Sequence, residues 1–144
     1  MPGTWPHRVV VVLLALALAL PLAGCEPLSS AELRREVDTI HSTAAESAVL
    51  ADQIAGQRTK RTFARVQARE LSDAAEHSAE RLTDAHPDDG LLSQTEDAID
   101  LASQVSTAAG ELETAPDDAD AAADAAERLR KLAAQSQRLS ESIG

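Results

Sequence analysis

From residue 31 onward, apolar and small residues return at alternating spacings of four and three, the interval of helices that pack side by side along a seam. The first stretch carries Leu33, Val37, Ile40, Ala44, Ser47, Ala51 and Ile54. The second carries Ala64, Ala68, Leu71, Ala75, Ser78, Leu82 and Ala85, flanked by Phe63 and Val66. The third runs through Leu91, Thr95, Ala98, Ala102, Val105, Ala109 and Leu112, with Leu92 and Ile99 widening the stripe. The fourth runs through Ala122, Ala125, Leu129, Leu132, Ser136, Leu139 and Ile143. No useful length alternates with a period of two, so the pattern predicts helices and no strands.

The punctuation between the stripes agrees. Ser29 and Glu32 have the spacing of a capping box, in which each side chain satisfies a free N–H at the helix start. Pro87-Asp88-Asp89-Gly90 separates the second stripe from the third, and Pro116 with Asp117, Asp118 and Asp120 opens the fourth. Between the first two, Gly56-Gln57-Arg58 reads as a turn with Thr59 as the following cap. The expected helices are about 31–55, 59–85, 89–114 and 117–142, each near 40 Å at 1.5 Å per residue. Four helices of matched length on short loops predict an all-α, up-and-down antiparallel four-helix bundle over residues 30–143. The alternative is one long helix over 31–85, about 80 Å long, plus a helical hairpin. It leaves the stripe of residues 31–55 without a partner in its own chain.

Ahead of the bundle, Arg8 precedes an apolar run from Val9 to Leu20, 12 residues closed by Pro21. A membrane-spanning helix needs about 20 apolar residues, so the run has the size of a signal-peptide core. Leu22-Ala23-Gly24-Cys25 follows it directly. This segment resembles the lipobox of bacterial lipoprotein signal peptides: Leu, a small residue, Gly or Ala, then Cys. The resemblance implies that residues 1–24 are removed, that Cys25 carries lipid of the palmitate type on its sulfur, and that residues 25–29 tether the bundle. It implies a cell-membrane protein facing the extracytoplasmic side. If the organism has two membranes, Glu26 in place of Asp favours the outer one. Cys25 is also the chain's single cysteine, which excludes an internal disulfide and fits S-acylation. Beyond the lipobox, no family resemblance is carried by the mature region.

Arg8 is the one Lys or Arg before residue 25, so the mature chain holds 12 cations against 24 Asp and Glu, a net charge of −12. That balance lacks the basic footprint of nucleic-acid binding and disfavours electrostatic adhesion to anionic lipid. The charges are also segregated. Arg58, Lys60, Arg61, Arg65 and Arg69 lie in a stretch free of acids, and Glu111 to Glu127 in one free of cations. An up-and-down bundle brings the two runs to one end, where they either neutralise each other or leave the basic run to dock an acidic partner.

Catalytic chemistry finds little to work with. There is no Gly-x-Ser-x-Gly elbow, no His-Glu-x-x-His and no Gly-rich phosphate loop. The Glu-x-x-His of di-iron bundles is also missing. A thin, Ala-rich bundle also leads one to expect little room for a ligand pocket of 300–1,000 Å³. His41 and His77 each sit one position off the seam and are expected in solvent; Asp73, His77 and Glu80 form a weak metal candidate on one helix face. No cofactor is expected apart from the lipid on Cys25. The sequence therefore predicts a membrane-anchored, non-catalytic helical interaction or structural module with an envelope protein as partner. A cation- or small-ligand-binding bundle is the alternative.

Overall fold

The computed structural model describes residues 27–144. Four α-helices form an up-and-down antiparallel bundle: α1 (Ser30–Ala55), α2 (Arg61–Asp84), α3 (Leu92–Thr114) and α4 (Ala119–Ser142). A 3₁₀ turn at Asp89–Leu91 leads into α3. No helix among the described residues is long and apolar enough to cross a membrane.

The seam of α1 is buried from Leu33 to Ile54, and those of α2, α3 and α4 are buried except at Ala85, Leu91 and Leu139 near helix ends. Two of the four hydroxyls on the seam bond the helix backbone: Thr95 Oγ1 donates to Leu91 O at 2.9 Å and Ser136 Oγ to Leu132 O at 3.0 Å. Such internal bonds remove the penalty of burying a polar group. Ser47 Oγ is buried without a partner.

The packing is uneven. The pairs α1·α4 and α2·α3 pack closest, while α1·α2 and α3·α4 are looser. Buried alanines supply the reason, because small side chains let helix axes approach. Ala44, Ala48 and Ala51 of α1 and Ala122, Ala126 and Ala133 of α4 are all buried, as are Ala64, Ala68 and Ala75 of α2 and Ala98, Ala102 and Ala109 of α3.

The chain turns back after α1, which excludes a continuous helix over 31–85. Arg81 and Glu36 meet at 2.8 Å across α1 and α2. The turn is a Schellman motif: Arg58 N–H donates to Gln53 O at 2.8 Å and Gln57 N–H to Ile54 O at 2.9 Å, with Gln57 at φ 53°. This motif consumes residues 56–58, so Lys60 rather than Thr59 stands at the N-cap of α2, and its side chain makes no capping bond. The other caps follow expectation. Ser29 and Glu32 form a reciprocal capping box, and Asp118 accepts from Ala121 N–H at 3.0 Å. α3 begins three residues later than the pattern suggests, because Asp89 to Leu91 take the tighter 3₁₀ turn.

Candidate functional site

Cys25 and the segment expected to be a signal peptide lie outside the described residues. The chain enters view at Pro27, and Leu28 is held at one end of the bundle: its N–H donates to His86 O at 2.8 Å beside Pro87. The C-terminus closes the same end. Ile143 is fully buried, its carbonyl accepts from Arg34, and Gln94 Nε2 donates to Ser142 O at 3.4 Å. The 56–60 and 115–118 loops form the opposite, distal end. Cations concentrate there. Residues 43–73 and 103–132, the distal half, hold eight Lys and Arg against eleven acids. The half containing Leu28 holds four Arg against twelve acids over residues 27–42, 74–102 and 133–144.

The basic and acidic runs do meet at the distal end, at one point: Arg61 and Asp117 lie 3.5 Å apart, both mostly exposed. A pair so exposed contributes about 0–1 kcal/mol. Arg69 reaches Asp73 at 4.0 Å along its own helix, and Arg58 folds back to donate to Asp52 O at 3.5 Å. Among the described residues, Arg58, Lys60 and Arg65 have no carboxylate within 4.0 Å. Part of the acidic run is occupied elsewhere. Glu111 pairs with Arg128 and Glu127 with Lys131, and these contacts raise the Arg128 guanidinium and lower the Glu127 carboxyl from their ordinary values. Neutralisation between the two runs is therefore partial.

Of the two histidines expected in solvent, His77 is exposed and His41 is not. His77 lies 3.2 Å from Glu80. Asp73 is engaged by Arg69, and no group of three His, Cys, Asp or Glu gathers at metal-binding distance among the described residues. His86 is exposed and serves through its carbonyl. His41 departs from the expectation of a solvated ring. It is half-buried, and its Nδ1–H donates to Ala133 O at 2.9 Å. The close approach of α4 to α1 covers a position that the seam alone leaves outside.

Two surface grooves of about 400 and 390 Å³ follow the two loose helix pairs, larger than a thin bundle leads one to expect. The groove between α3 and α4 is lined by Gln104, Thr107, Arg128, Lys131 and Gln135 together with Ala108 and Leu132. Between α1 and α2 the walls are apolar, with Leu50 and Leu71 beneath Val49 and Phe63. Phe63 and Val66 flank the sequence seam, yet they are 55% and 52% exposed, and Val49 is 57% exposed. Phe63 lies one position off the seam and Val49 two, on the sides that the looser α1·α2 contact leaves open, and Val66 lies two positions from the seam residues Ala64 and Ala68, on the outer face of α2. A helical wheel marks them as off-centre; only the packing reveals that nothing covers them.

Set against protein-family models, curated proteins and solved structures, the chain matches none.

Proposed function

We propose that this protein is a lipid-anchored lipoprotein of the bacterial cell envelope, and that its bundle is a non-catalytic module that binds another envelope protein. The observation carrying this reading is the pairing of Leu28 with the His86–Pro87 loop, three residues after Cys25. A tether leaving from there directs one end of the bundle to the bilayer and the other away from it. The helices are about 35–39 Å long at 1.5 Å per residue, so the distal end is presented well clear of the lipid. The acid-rich half lies next to the bilayer, where an anionic surface repels it, and attachment then falls to the acyl chains. The cation-rich half, with its unpaired Arg58, Lys60 and Arg65 and exposed Phe63, faces outward.

The cation-binding alternative has less support, since Asp73 is drawn to Arg69 rather than toward His77 and Glu80. Replacing Cys25 with Ala tests the anchor. The expected result is an uncleaved precursor or a product released from membranes, and mass spectrometry of the wild type should find lipid on an N-terminal Cys25. An unmodified Cys25 on a membrane-bound mature protein, or cleavage at another position, overturns the anchor.

A further inference from the structure

We propose that the groove between α1 and α2 receives two turns of an amphipathic helix from the protein partner. That helix carries basic residues toward the anchored end and acidic residues toward the distal loops. The proposal rests on reading the protein as an interaction module and names the site and the chemistry of what it binds.

Two of the four exposed large hydrophobics among the described residues, Val49 and Phe63, stand along this one groove. Phe63 is the only aromatic residue after Trp5, and it is placed where it covers little of the core. Scattered surface apolar residues are ordinary, but a contiguous apolar strip marks a contact surface. The walls run from Ala45 to Gln53 and from Phe63 to Leu71, about 12 Å or slightly over two helical turns. That length suits a helix in a groove, whose anchors recur at i, i+3 or i+4, and i+7.

Charge gives the groove a direction. The Glu36–Arg81 pair sets the α1·α2 register, which puts Glu46 and Glu70 opposite each other at the end nearer Leu28. Neither has a cation within 4.0 Å among the described residues. Lys60 and Arg58 stand at the distal end. A partner helix with the reverse order would set like charges together at both ends.

A second copy fits poorly. Two copies anchored in one membrane meet side by side and parallel, so Glu46 and Glu70 would face the same carboxylates and Lys60 the same ammonium. An antiparallel pair matches the charges but sends the two tethers in opposite directions. The α3·α4 groove has similar volume, but the cations that line it are already held by Glu111 and Glu127.

The test introduces a photoreactive phenylalanine analogue at position 63 of the full chain in its own membranes, and separately at position 104 in the other groove. The adduct from position 63 is expected to map to an amphipathic helical segment with the stated charge order. A synthetic peptide of that segment should bind the full chain in detergent. Phe63→Ser and Val49→Ser should each weaken binding at least tenfold while leaving the thermal melt unchanged. Interchanging the peptide's charges end for end should do the same to affinity. Adducts to lipid, to a second copy or to a segment without this pattern overturn the proposal, as does undiminished affinity in both variants. A protein partner captured from 104 but not 63 overturns this site and leaves the interaction reading intact. No protein adduct from either position overturns both.

Discussion

Gly110 and Gly56 look interchangeable in the sequence, two glycines at or inside helix ends, yet the structure predicts opposite outcomes when each becomes Ala. Gly110 lies within α3, half-buried at the close contact with α2. A glycine in a helix interior costs about 0.8–1.0 kcal/mol relative to Ala, so a tight interface is the natural explanation for its presence. The geometry does not require it. A Cβ at residue 110 meets Ser72 Oγ at 3.6 Å, an ordinary van der Waals distance, and Ser72 keeps its 3.0 Å bond to Ser106 O. Gly110→Ala should therefore stabilise the bundle by close to the full propensity difference, about 1 kcal/mol. With an unfolding entropy of about 2.1 cal/mol/K per residue over residues 28–143, that raises the melting temperature by about 4 °C. Gly56→Ala should give no such gain, since its Cβ meets Arg58 Nε at 2.9 Å and Asp52 O at 3.1 Å. Urea unfolding followed by circular dichroism reads both, and an unchanged m value shows that the same surface is exposed. Loss of stability in Gly110→Ala would refute the reasoning, because it would place α2 and α3 closer than 3.6 Å of clearance allows.

Gln57 occupies the left-handed position of the Schellman turn at φ 53°, so Gln57→Gly should stabilise by about 0.5–1 kcal/mol in the same denaturation assay, after the greater entropy of unfolded Gly is subtracted. Ile143→Ala, a change one residue from the C-terminus, should cost about 2–5 kcal/mol, since Ile143 is fully buried; a cost below 0.5 kcal/mol would show a frayed end. Hydrogen bonds from the Ser29 hydroxyl and backbone hold the Glu32 carboxyl below its ordinary value. A depressed carboxylate contributes stability that is present above the ordinary glutamate range and lost as pH falls through the folded value. The stability gap between wild type and Glu32→Gln should therefore be full at neutral pH and shrink on acidification, and a gap independent of pH would exclude the charge-assisted cap.

The heptad spacing, the Ser29–Glu32 box and the Pro-Asp breaks determined four helices, their order and most of the core, while Ala48, Leu50, Leu101, Ala108, Ala126 and Ala133 are buried one position off the stripes. These signals are local. Helical geometry returns a side chain to the same face every three or four positions whatever it packs against, so the buried stripe can be read before the partner is known. Which neighbour lies on each side of that stripe is not a property of the period. The closeness of α1 to α4 and of α2 to α3, and the openings left along α1·α2 and α3·α4, came from how the alanine-rich faces settled against one another. That settling half-buried His41 and left Val49 and Phe63 uncovered. The Schellman turn likewise moved the α2 cap from Thr59 to Lys60. The resemblance of Leu22 to Cys25 to a lipobox is a matter of sequence alone, since it rests on neighbouring residues and not on packing. The end of the bundle at which Leu28 sits was decided by tertiary structure, because it depends on Leu28 finding the carbonyl of His86, more than fifty residues away in the chain.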